Sequence, residues 1–297
     1  VAHSLHTTVH QLIASVWGEQ APAALVADRR GTCLWRVDTR SGPYALKITV
    51  ACDDPQGHVD SERLALVEAE LLLGLRADGI VTDLYEAHGT LPDGAGSWLA
   101  LRWVSGDDAE AAFAKLRTNP DPALAAAHAA AMSRAVAGLH AGGWRHGDLQ
   151  EVHFILDGST AHLLDFAMAH APGRPVGGGP VVYRGAYDWF MSPELAHARL
   201  TTTPADDLPL TPASEVWSLC AVIYACWTGT YPISSRTTTQ TTPELREELA
   251  AGRIKPLRQT RPWPFAAFED IITGGLNTDP NRRPTARDLQ HAFESLA

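Results

Sequence analysis

Strand-like runs and helical stripes are segregated along this chain, and that segregation constrains the fold more than any single motif. Up to about residue 104 most apolar residues alternate with polar ones, whereas from about Pro122 they recur every three or four positions. Strands gathered at one end and helices at the other describe an α+β chain of two lobes. The boundary falls at Ser105-Gly106, so residues 1–104 are expected to form a small β-rich lobe with one helix, and residues 105–297 a larger, mainly helical lobe.

In the first lobe, Leu34-Trp35-Arg36-Val37 and the run from Tyr44 to Val50 are separated by Ser41-Gly42-Pro43, a hairpin signal. The period of two puts Tyr44, Leu46, Ile48 and Val50 on one face and Ala45, Lys47 and Thr49 on the other. A helix should follow, with Leu64, Glu68, Leu71, Leu72 and Leu75 on one stripe. Glu68 thus lies within an apolar stripe, while Glu70, about 200° around the helix from it, should face solvent. The run from Ser97 to Val104 reads as a strand entering the boundary.

The second lobe opens with a helix from about Pro122 carrying Leu124, Met132, Val136 and Leu139 on one face, stopped by Gly142-Gly143. Short strands are expected at 153–156 and 162–165, a mobile loop over the Gly- and Pro-rich stretch 171–180, and surface loops at the Thr-rich stretches near 201 and 237. A terminal helix should carry Leu289, Ala292, Phe293 and Leu296 on one face.

Composition bears on setting and partners. Cys33, Cys52, Cys220 and Cys226 form no CxxC or Cys/His pattern, which points to a reducing, cytoplasmic setting. The first residues lack the basic-then-apolar order of a signal peptide, and Leu219–Trp227, the most apolar later stretch, is too short for a bilayer. A membrane role is therefore not expected. The formal net charge of −10 opposes non-specific nucleic-acid binding and is compatible with a basic peptide partner.

Six signals occur in one order: Lys47 on a strand, Glu68 on a helix, His146-Gly147-Asp148-Leu149, Leu164-Asp165-Phe166-Ala167, Met191-Ser192-Pro193-Glu194, and Asp279-Pro280-Asn281-Arg282-Arg283-Pro284. Together they resemble the signature set of the protein-kinase-like superfamily, over nearly the whole chain from about residue 25. The resemblance implies a two-lobed fold with a nucleotide site in the cleft, and ATP and Mg²⁺ as cofactors. It implies that Lys47 holds the α- and β-phosphates, that Glu68 orients Lys47, and that Asp148 orients or accepts the proton of the attacking hydroxyl. Asp165 would be the oxygen ligand of Mg²⁺. Ala45 and Ile155 would sandwich the adenine, Leu101 would stand at the back of the pocket, and Arg102 to Val104 would offer hinge hydrogen bonds. Glu194 and Arg283 match the pair that braces the larger lobe.

The sequence also departs from that pattern. His153 stands where a metal-binding Asn is expected; binding a single metal, holding another ion, contacting phosphate, or packing are all open to it. Only Gly31 lies between Leu25 and Val37, where a glycine-rich loop would cover the phosphates, so Arg29 and Arg30 are the charges available there. This loop and the His-Gly-Asp triplet are similar to the aminoglycoside phosphotransferase branch. Glu215 replaces the Asp expected to anchor the catalytic loop. Gly147 replaces an arginine that would receive an activation-loop phosphate, and between Asp165 and Ser192 the only hydroxyls are Tyr183 and Tyr187. Activation by Ser/Thr phosphorylation of that segment is not expected.

Three functions follow from the resemblance. The first is an ATP-dependent phosphotransferase acting on a Ser/Thr hydroxyl of a peptide or protein. The second is a pseudokinase that serves as a scaffold or regulatory partner of another protein. The third is a small-molecule phosphotransferase, in which Asp107 and Asp108 would favour a cationic substrate unless they simply start a helix.

Overall fold

The computed structural model describes residues 2–52, 61–173, 182–185, 187–233 and 243–297. They cluster into two compact units, the first ending at Val104 and the second beginning at Ser105.

The first unit is built on a five-stranded antiparallel sheet, consisting of β1 (Ala23–Arg29), β2 (Thr32–Thr39), β3 (Gly42–Val50), β4 (Tyr85–Thr90) and β5 (Gly96–Arg102), in the order β1-β2-β3-β5-β4. Alternation does what the period of two requires. Trp35, Val37, Leu46 and Ile48 are buried on one face, where they pack with Trp98 and Ala100. The cover on that core is α1 (Ala2–Trp17), whose Leu5, Val9, Leu12 and Ile13 form an apolar stripe against the sheet. Neither α1, β1 nor β4 was among the sequence expectations. The stripe of α1 has the three- and four-residue spacing of a helix and was legible, whereas β1 presents Leu25 and Val26 to solvent and breaks its own register between Leu25 and Ala27. The helix α2 (Leu64–Ala77) forms where expected, with Glu68, Leu71, Leu72 and Leu75 buried and Glu70 exposed.

The second unit begins with the short β6 (Asp107–Asp108), α3 (Ala109–Thr118) and α4 (Pro122–Ala141). Asp108 caps α3 by accepting the Ala111 amide, and Asp107 is paired with Lys115. In α4, Met132, Val136 and Leu139 are buried, but Leu124, expected beside them, is exposed because it lies in the first turn, ahead of the first buried residue, Ala125. The strands β7 (Phe154–Asp157) and β8 (Thr160–Leu163) form a hairpin that pairs with β6.

Helices α5 (Pro193–Thr201), α6 (Pro212–Thr228), α7 (Pro243–Ala250), α8 (Leu257–Thr260), α9 (Ala266–Gly275) and α10 (Ala286–Glu294) complete the unit. α6 is its axis: every residue from Leu219 to Trp227 is buried, which accounts for a run that is apolar on all sides yet short. No helix of the described residues is long and apolar enough to cross a membrane. In α10, Leu289 and Phe293 are buried as expected, while Leu296 lies past the helix end. The Thr-rich stretch near 201 closes α5 and continues into exposed chain. The stretch near 237, and residues 174–180 of the expected Gly- and Pro-rich loop, lie outside the described residues.

Candidate active site

Two regular elements place the only cation–acid pair of the first unit that the motif predicts. Lys47 sits at the middle of β3, opposite Leu99 of β5, on the face away from the α1 core. Glu68 occupies the second turn of α2 and is 1% exposed, and its Oε2 lies 2.7 Å from Lys47 Nζ. A buried carboxylate is tolerated only with such a partner. Ala45 lies two residues before Lys47 on the same face and opposite Leu101, both partly buried. The Arg102 amide already donates to Leu84 O at 2.8 Å and the Trp103 amide to Pro43 O at 3.1 Å. Among the described residues no such bond involves the amide of partly buried Val104, so the expectation of hinge hydrogen bonds over Arg102 to Val104 stands on that amide and on the backbone carbonyls.

The turn between β1 and β2 contains only Arg30 and Gly31, both at positive φ (46° and 77°). Gly31 is buried against β3, since a Cβ there would come within 2.6 Å of Val50 O. The hairpin thus offers a single glycine, packed against β3, and Arg29 and Arg30 are exposed.

The acids of the second unit sit on loops, and each loop is braced. Gly147 has φ of +82°, and a Cβ would come within 2.3 Å of Met168 O, so only glycine fits. Its amide donates to Glu215 Oε1 at 2.7 Å, while Glu215 Oε2 accepts from His140 Nε2 at 2.9 Å. The longer acid therefore anchors the loop directly, with a histidine behind it. The Gly147 carbonyl accepts from the Tyr183 hydroxyl at 2.8 Å. Burial, with Glu215 and Asp148 nearby, pushes that phenol well above its usual range, which keeps it a donor. His146 is fully buried, donates from Nε2 to Leu164 O at 2.9 Å and accepts the Asp148 amide at Nδ1; burial holds it below the ordinary histidine range, hence neutral.

Asp148 Oδ1 accepts from Gln150 at 2.6 Å. Asp165 follows β8 in a left-handed conformation (φ 63°, ψ 71°), uncommon for a residue with a Cβ. His153 stands between the two acids, with Nδ1 2.8 Å from Asp148 O and Nε2 3.7 Å from Asp165 Oδ2. Ile155, partly buried, lies next but one along β7. Asp165 offers the oxygen that Mg²⁺ requires; His153 offers nitrogen where a second oxygen would suit that ion. The small cavity beside Asp148, lined by Gly147, Tyr183, Tyr187 and Phe190, has about 20 Å³ of room, enough for a water. Further down the chain, Arg283 grips Glu194 through two bonds of 2.6 and 2.8 Å.

The braces Gln150, His140 and Tyr183 were not anticipated. Gln150, two residues beyond Asp148, carried a positional signal; His140 and Tyr183 act through tertiary contacts that no local pattern announces.

A β-sheet unit with a strand lysine tied to a helix acid, followed by a helical unit with acids on two braced loops, defines a protein-kinase-like fold. The protein kinase domain family matches residues 33–293, and the chain belongs to that family. The match leaves out α1 and β1. No curated protein matches the chain at a significant level.

Proposed function

We propose that the chain is an active phosphotransferase that moves the γ-phosphoryl group of ATP to a Ser or Thr hydroxyl of a peptide or protein. The observation that carries this reading is the Lys47–Glu68 pair, 2.7 Å long and nearly dry on the carboxylate side. Removing charges from water costs several kcal/mol per ion, and a leucine at position 68 would complete the apolar stripe without that penalty. The pair makes sense if the ammonium is held to meet phosphate oxygens. Asp148, with Oδ1 steadied by Gln150, would orient the acceptor hydroxyl and take its proton. Asp165 would hold magnesium, which neutralises phosphate charge when bound. The free thiols suit a reducing, cytoplasmic setting.

A pseudokinase that binds a protein partner is the second reading, favoured by His153 and by the tight Arg30-Gly31 turn. The small-molecule reading loses the support of Asp107 and Asp108, which serve the start of α3. Melting temperature measured with ATP, with and without Mg²⁺, separates the first two. A metal-dependent rise in the native chain that disappears in Lys47→Ala and Asp165→Asn supports phosphotransfer. No rise at millimolar ATP sinks it and leaves the partner-binding scaffold.

A further inference from the structure

The helix that covers the sheet, α1, lies outside the segment matched by the kinase family, and it carries two histidines that none of the ordered motifs uses. His6 and His10 are four residues apart, so one turn of helix places them on the same face. Each directly follows a residue of the buried stripe, Leu5 and Val9, which puts the pair at the border between core and solvent. His6 is exposed and His10 partly buried. Their ring centres are 4.7 Å apart, with the ring planes at 61°.

The pair is backed from beneath while its nitrogens stay unclaimed. Trp35 of β2, itself 5% exposed, meets the His6 ring in a T-shaped contact at 6.1 Å. Leu5, Val9, Leu12 and Ile13 dock the helix on the sheet, so the backbone that carries both histidines is held in place. No hydrogen bond or ion pair joins either imidazole to any described residue.

The separation of the rings suits one shared ion. An ion about 2.0–2.1 Å from a ligating nitrogen stands about 3.2 Å from the ring centre, so two imidazoles bound in cis, about 90–110° apart at the ion, have centres about 4.5–5.2 Å apart. The observed 4.7 Å falls within that range. Two histidines at this spacing on one helix face also supply half of the ligand set of a helical zinc site. Among the described residues no third His, Cys, Asp or Glu joins them, so water fills the remaining positions.

We propose that His6 and His10 form a two-histidine site for a divalent late first-row transition ion, of which Zn²⁺ is the type, and that the ion clips one turn of α1. Imidazole nitrogen favours such ions over Mg²⁺ and Ca²⁺, which take oxygen. Both rings can reach one ion only while the turn between them is helical, so the bound ion stabilises the docked helix. The site stands apart from the phosphotransferase reading, since neither histidine belongs to the nucleotide motifs.

The test uses Zn²⁺ as the probe on the full chain, with the imidazole ¹⁵N resonances followed by long-range ¹H–¹⁵N NMR. The His6 and His10 resonances should move together and saturate together, while Mg²⁺ at the same concentration moves neither. His6→Gln and His10→Gln should each weaken Zn²⁺ binding at this pair about tenfold or more, because one ligand of a linked pair is lost. Each should also remove most of the Zn²⁺-dependent rise in melting temperature. Glutamine is a good helix former and both positions reach solvent, so the variants should fold, which circular dichroism checks. Zn²⁺ that moves neither resonance, moves only one, or binds native and variant chains alike overturns the proposal, and the native-chain spectra decide it even if a variant unfolds.

Discussion

β3 and the catalytic loop hold their charged groups by opposite means. On β3, the ladder to β2 and β5 fixes the backbone, and Glu68 of α2 pairs with Lys47. Around Asp148 no ladder exists. The backbone is instead pinned at Gly147 from both sides, by Glu215 at the amide and Tyr183 at the carbonyl, while His146 closes the loop onto Leu164. Regular structure positions a residue through many equivalent bonds, so few of them matter individually. A braced loop depends on a handful, and each should be costly to lose.

The contrast can be broken most sharply at Gly147. Gly147→Ala combines a left-handed backbone with a collision at Met168 O, and should cost about 3 kcal/mol or more in denaturant unfolding. A loss under 1 kcal/mol would mean the loop is not held as described.

Lys47→Met tests the other region and should cost about 3 kcal/mol near pH 8. Deprived of the ammonium, buried Glu68 would retain its proton in the folded chain above the carboxylate range of the unfolded chain. The loss should therefore shrink toward pH 5 and grow as pH rises, a trend visible in paired urea melts.

A smaller effect separates anchor from packing. Glu215→Asp should cost about 1–2 kcal/mol, because the shorter acid cannot meet the Gly147 amide and His140 together. Equal stability of the two proteins would remove the length argument. Tyr183→Phe deletes one hydroxyl and should cost about 1 kcal/mol, with a phosphotransfer loss expressed in kcat rather than KM if the hydroxyl positions Asp148.

The smallest expected effect lies in α4. Burial lowers the His128 pKa from its ordinary 6.5, and its Nδ1 has no partner among the described residues. As pH falls below about 6.5, the unfolded chain binds a proton that the folded chain resists, so stability declines on the acid side. His128→Leu should flatten that slope.

What could be read in advance follows the same division. Lys47 and Glu68 were legible because alternation and helical spacing each assign a face, and a charge on a buried stripe is conspicuous. Asp148 and Asp165 were legible through the order of the motifs, not through periodicity. A strand pattern does not say which amides the neighbouring chain already uses: the Arg102 and Trp103 amides meet Leu84 and Pro43, which lie far from them in sequence. α1 was overlooked although its stripe was present; only the sheet it covers shows why that stripe is needed.

The α+β class, the faces of β3 and α2, and the family to which the ordered motifs belong were readable in the sequence alone, since these rest on short-range periodicity and spacing. Only the tertiary structure decided that Glu215 reaches the loop amide, that Tyr183 and His140 complete the brace, and that His153 turns Nε2 toward Asp165. Those outcomes depend on distances of a few ångströms between residues up to 75 positions apart, which no local pattern encodes.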